Sequence, residues 1–162
     1  MAQSSAPANA GVNFPPPFIY VLGLILAWLL ETRVRRFHLI GDGAAPEWLQ
    51  LLGLIVVAFG LGLVMWGMFT FTTAGTAIIP NKPATNIVEK GPYRHTRNPM
   101  YVGLASAYTG GALITNSVWA MLILPLVLYA VYHNVIQREE AYLGSAFPVE
   151  YEAYKKRVRR WL

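Results

Sequence analysis

Long apolar runs alternate with short polar, basic stretches along this chain, and their length predicts helices rather than strands. Residues 48–71 carry no charged side chain. At about 1.5 Å per residue, that run is long enough to cross a hydrocarbon core of about 30 Å. Within it, Gly53, Gly60 and Gly67 fall seven apart on one helix face, where small residues let a second helix approach closely. Residues 18–36 start as an apolar run that is short for a bilayer. It extends through Glu31 and Thr32, with Arg33, Arg35 and Arg36 reaching toward headgroups. Two further runs, 99–114 and 117–138, are separated by Thr115 and Asn116 and predict a tight antiparallel hairpin.

The two ends differ in kind. Residues 1–17 are uncharged and close with Pro15, Pro16 and Pro17, which predicts a flexible tail ahead of a single membrane domain, 18–162. In residues 147–162, Phe147, Tyr151, Tyr154, Val158 and Trp161 recur at steps of four and three, while Lys155, Lys156, Arg157, Arg159 and Arg160 cover the rest. That pattern predicts a basic amphipathic helix, either lying in the membrane interface or packed on the protein's own loops. The expected fold class is an all-α integral membrane protein: about four transmembrane helices, a C-terminal helical hairpin and a terminal amphipathic helix.

Composition agrees. Hydrophobic residues make up 55% of the 162 positions and charged ones only 13%, against about a quarter charged in soluble domains. The absence of cysteine excludes disulfides and thiolate metal sites. His38, His95 and His133 show no ligand spacing, so no metal is expected. The net charge of +5 fits anionic lipid headgroups better than nucleic acid. With four spans, Lys82, Lys90, Arg94, Arg97, Arg138 and the basic tail share one side, and Arg33, Arg35 and Arg36 lie on the other. The richer side is expected to be cytoplasmic.

Candidate chemistry gathers on that side. Pro99 suits the first position of a helix, with Asn98 as its N-cap. The helix start and the guanidiniums of Arg94 and Arg97 would attract a carboxylate or phosphate, and Gly103, one turn on, would permit close approach of a ligand. Counting back along the hairpin puts Glu139 and Glu140 at the height of Arg94 and Arg97, with His133, Asn134 and Gln137 as a polar edge leading there. The cluster reads equally well as a salt-bridge clasp or as a binding site.

Three blocks then coincide in order and spacing: Gly91, Pro92, Tyr93, Arg94, Arg97, Asn98, Pro99, Tyr101 and Gly103; Arg138, Glu139, Glu140 and Leu143; and Phe147, Glu150, Tyr151 and Tyr154. Together they resemble the isoprenylcysteine carboxyl methyltransferase and phospholipid methyltransferase superfamily. Better-known members have Arg-His-Pro where this chain has Arg97, Asn98 and Pro99, so the cap is kept and a titratable imidazole is not. The resemblance implies S-adenosylmethionine as methyl donor and a lipidic or small hydrophobic acceptor bearing a carboxylate, amine or thiol. It implies a bacterial inner-membrane protein with its site facing the cytoplasm. It further implies Arg94, Glu139 and Glu140 as catalytic residues. Donor contacts would come from Tyr93, His95, Arg97, Asn98, Pro99, Tyr101, Gly103, both glutamates, Tyr151 and Tyr154. An NADPH-dependent enzyme resembling sterol reductases and a non-catalytic membrane scaffold are the competing readings.

Overall fold

A computed structural model describes residues 9–12, 15–75 and 84–162. Lys82 and most of the N-terminal tail lie outside the described residues. Among those described, the chain is helical with no strand; one isolated antiparallel bridge joins His38 to Ser117.

Helix α1, Pro17–Arg33, starts with proline in its first turn, where the missing N–H costs no intrahelical bond. Helix α2, Glu47–Thr73, follows Pro46 and has Glu47 in its first turn, favourable to the helix dipole. Its outward positions Leu51, Leu54, Ile55, Phe59, Met65, Trp66 and Phe69 are large, apolar and exposed. An apolar surface of that extent suits lipid rather than water. A short 3-10 turn, Gly91–Arg94, leads to α3, Pro99–Ile114, which covers the run expected at 99–114. Helix α4, Val118–Val131, is capped by the Ser117 hydroxyl, which accepts from the Ala120 N–H at 3.0 Å. It continues through a π-helical turn, Tyr132–Ile136, into α5, Gln137–Ala146. Among the described residues, two helices, Glu47–Thr73 and Val118–Ala146, are long and apolar enough to cross a membrane.

The glycine pattern makes the main seam. Gly60 and Gly67 of α2 lie against Gly103 and Met100 of α3, and Gly53 lies against Gly110, so the two helices run antiparallel with backbones nearly touching. Helix α1 packs on α4, with Gly23 against Val127, and Tyr20 of α1 donates from its hydroxyl to the Tyr101 carbonyl at 3.0 Å. Gly103 therefore serves helix contact and not ligand approach, which corrects the expectation for it. A Cβ there would meet the Gly60 carbonyl oxygen at 2.6 Å and Val64 Cγ2 at 2.8 Å. Gly103→Leu should lower stability by at least the 1–3 kcal/mol typical of about one overpacked site. Gly62→Ala is the control, since nothing lies within 4 Å of the added Cβ. Thermal unfolding in detergent checks the pair, and equal melting of both variants would contradict the seam.

The C-terminus departs from the expected helix over 147–162. Helix α6, Pro148–Arg157, stops where Val158 turns extended (φ −124°, ψ 129°). Tyr151, Tyr154 and Val158 pack on Ile87, Leu143 and Phe147, so their apolar side is used by the protein's own loop. Trp161 returns to the main core. The stretch expected as a loose tail is also partly placed: Val12 is buried in the core, and Arg138 donates to the Gly11 carbonyl at 3.0 Å.

Candidate active site

At one end of the bundle α2 stops, α3 starts and α5 emerges. The gap between them is closed by residues 84–88 and by α6. The space between them, counted with its opening to solvent, is about 890 Å³. Tyr93, Arg97, Asn98, Pro99, Tyr101, Glu139, Glu140, Tyr151 and Tyr154 line it, which brings together nine residues singled out from the sequence. Arg94 and His95 are exposed and do not line the cavity. The 3-10 turn faces Tyr93 inward and leaves its successors outside. Gly91 makes that turn with φ +55°, hard against Thr70, where a side chain would be strained.

The acids differ in their partners. The Tyr101 hydroxyl donates to Glu139 Oε1 at 2.8 Å, and among the described residues no Lys or Arg pairs with Glu139. Glu140 is fully engaged. Arg160 grips it with two bonds, Nε to Oε1 at 3.0 Å and Nη2 to Oε2 at 2.8 Å. Arg97 Nη1 approaches Oε1 at 3.2 Å. The clasp and the site expected from the sequence are thus divided between neighbouring residues. Glu140 carries the ion pairs, and Glu139 faces the cavity with one hydrogen bond.

Arg97 is held from several sides. Its backbone N–H donates to the Arg159 carbonyl at 2.9 Å, and its Nη1 lies 3.4 Å from the Tyr151 hydroxyl. Its Nε is buried with no partner among the described residues, and so is the Tyr93 hydroxyl. Such groups are costly to leave unpaired, and both belong to residues lining the cavity. Burial and the nearby Glu140 push the Tyr151 phenol up to about 12. Burial also raises Tyr93 and Tyr154. All three remain neutral hydrogen-bonding groups at ordinary pH.

Asn98 stands at the N-cap position of α3, but its side chain makes no cap bond. Its Nδ2 instead donates to the Arg160 carbonyl at 3.0 Å, beside a bond of the same length from Thr96 Oγ1. The Arg160 carbonyl, which Thr96 holds as well, takes the Asn98 side chain away from the local cap. The contact uses the amide as a donor, whereas a cap would use the side-chain oxygen as an acceptor. The sequence reading also missed Tyr142, whose hydroxyl accepts from the Ala84 N–H at 3.0 Å, and the apolar wall of Ile87, Val88 and Leu143. Nothing in their spacing marks them, because the loop meets α5 only in three dimensions.

The family description phospholipid methyltransferase matches residues 48–150. Protein-S-isoprenylcysteine O-methyltransferase of Homo sapiens is 29% identical over 146 residues, 86% of this chain and 49% of that protein. The same-named protein of Schizosaccharomyces pombe is 36% identical over 72 residues, 44% of this chain and 30% of that one. The cobalt-zinc-cadmium resistance protein CzcN of Cupriavidus metallidurans is 33% identical over 80 residues, 49% and 37% of the two chains. This chain spans about half the length, or less, of these relatives. No solved structure matches it. A helical bundle with an acid–arginine cavity at one end, matched over most of its helices, belongs to the phospholipid methyltransferase family.

Proposed function

We propose that the protein transfers a methyl group from S-adenosylmethionine to a membrane-associated lipidic or small hydrophobic acceptor, at the cytoplasmic face of a bacterial inner membrane. The observation that carries this reading is the convergence of Arg97, Glu139 and Glu140 on one cavity inside the family-matched segment. The residues fit the donor's chemistry. The unpartnered Nε of Arg97 suits a carboxylate. Glu139, without an ion pair among the described residues, suits a cationic group. The tyrosine rings and the Ile87, Val88 and Leu143 wall suit a flat purine.

The donor, when bound, supplies an electrophilic methyl whose departure breaks a carbon–sulfur bond and neutralises the sulfonium. The protein's part is then mainly to orient and to exclude water. A carboxylate acceptor arrives already ionised and needs no base. An amine acceptor must lose a proton, and Glu139, held in place by Tyr101, is the acid–base group within the cavity.

Four spans accommodate this site, with α1 and α3 completing the unit. Phe18, Leu22, Ile25 and Trp28 present an apolar outward side on α1. Lys90, Arg94, Arg138 and the basic tail stand at the cavity end, as the cytoplasmic placement requires. Calorimetric titration of detergent-solubilised protein tests the reading. Saturable heat is expected with S-adenosylhomocysteine and none with NADPH. No heat with S-adenosylhomocysteine at millimolar concentration would remove the donor, and heat with NADPH alone would favour a reductase.

A further inference from the structure

Arg160 lies beyond the family-matched residues and does not line the cavity, yet it makes the strongest contact with one wall of it. Its guanidinium takes both oxygens of Glu140 at 3.0 and 2.8 Å, and stacks over the Tyr132 ring at 5.1 Å. Its carbonyl is fixed independently by Thr96 and Asn98. The Arg160 side chain remains 37% exposed, whereas Arg97 and Glu140 are 11% and 17% exposed. The exposed partner therefore occupies Glu140 from outside, and Arg97, which lines the cavity, approaches Oε1 at 3.2 Å.

We propose that Arg160 is a positioning residue of the cavity: by satisfying both oxygens of Glu140, it keeps the Arg97 guanidinium available to an anionic group of the ligand. The proposal rests on the methyl-donor reading above. Two physical consequences support it. With Arg160 present, Arg97, Glu140 and Arg160 sum to one positive charge, which attracts a carboxylate; without it they sum to zero. Removing Arg160 also leaves Glu140 Oε2 without its partner, and the nearest guanidinium is that of Arg97. A fork-to-fork pair would then form inside the cavity and compete with the ligand for Arg97.

The test is a double-mutant cycle read by S-adenosylhomocysteine affinity. Arg160→Gln keeps the carbonyl that Thr96 and Asn98 hold, so the C-terminal strap keeps its anchor. It should weaken binding about tenfold, and Arg160→Lys should recover most of that loss by restoring the charge. In a Glu140→Gln background, Arg160→Gln should cost clearly less affinity than in the native background, because no carboxylate is left to close on Arg97 and only the loss of one positive charge remains. Equal losses in both backgrounds would overturn the proposal in favour of a strap that only stabilises the fold. No loss in either, or a lysine as poor as glutamine, would also overturn it. Should Arg160→Gln fail to fold, the same comparison is read from Arg160→Met in the two backgrounds. If the unsubstituted protein shows no affinity at all, the donor reading falls and takes this proposal with it. Affinity without the predicted cycle removes this proposal alone.

Discussion

Glu139→Gln should leave the protein folded and slow methyl transfer by about a hundredfold, the scale of a lost general base. The asymmetry between the two acids motivates this. Glu139 has one hydrogen bond, from Tyr101, and no ion pair among the described residues, so the substitution breaks no salt bridge. Glutamine keeps the length and can still accept from the Tyr101 hydroxyl, so the melting temperature should hold or rise. Charge and proton affinity are what disappear. The measurement is transfer of labelled methyl to a panel of a prenylcysteine, a phosphatidylethanolamine and a small alkyl thiol, with melting recorded on the same preparation. A folded variant with full activity toward every acceptor removes Glu139 from the mechanism. A loss confined to the amine acceptor would identify Glu139 as the base, whereas a loss across the panel would make it a donor contact.

Arg97→Ala should have the largest effect on donor affinity, a loss of about 2 kcal/mol or more, which is about thirtyfold. Folding is protected at this position. The backbone bond from residue 97 to the Arg159 carbonyl does not involve the side chain, and Glu140 keeps both contacts with Arg160. Arg97→Lys should recover only part of the affinity, since an ammonium supplies charge without the planar fork. Calorimetry with S-adenosylhomocysteine reads the affinity, and steady-state transfer shows whether KM rises while kcat holds. Unchanged affinity in a folded Arg97→Ala protein would contradict the anion-binding role.

Some of this was legible in the chain itself, for a physical reason. Membrane character depends on long uncharged runs, and such runs are a local property: 48–71 falls within α2, Glu47–Thr73. Pro99 announces the start of α3 because proline is compatible with the first helical turn and hostile to later ones. Gly53, Gly60 and Gly67 announced a seam because their seven-residue spacing survives any rearrangement of the rest. The choice of partner helix did not follow from spacing, and α2 with α3 had to be seen.

The division of labour among charged side chains belonged to the tertiary structure. Arg94 and Arg97 look equivalent on paper, but the chain beyond the left-handed turn at Gly91 leaves Arg94 exposed and puts Arg97 in the cavity wall. Glu139 and Glu140 are adjacent, yet the π-helical turn at Tyr132–Ile136 sets the rotation at which α5 presents them. One extra residue in a turn rotates everything beyond it by about 100°, and no periodicity in the sequence records that step. Arg160 read as one basic residue of an interfacial helix. The chain leaves the helix at Val158 and brings the Arg160 carbonyl to Asn98 and its guanidinium to Glu140. Contacts between positions this far apart depend on the path of the whole chain, so local spacing determined which side chains were available and the fold alone decided which of them meet.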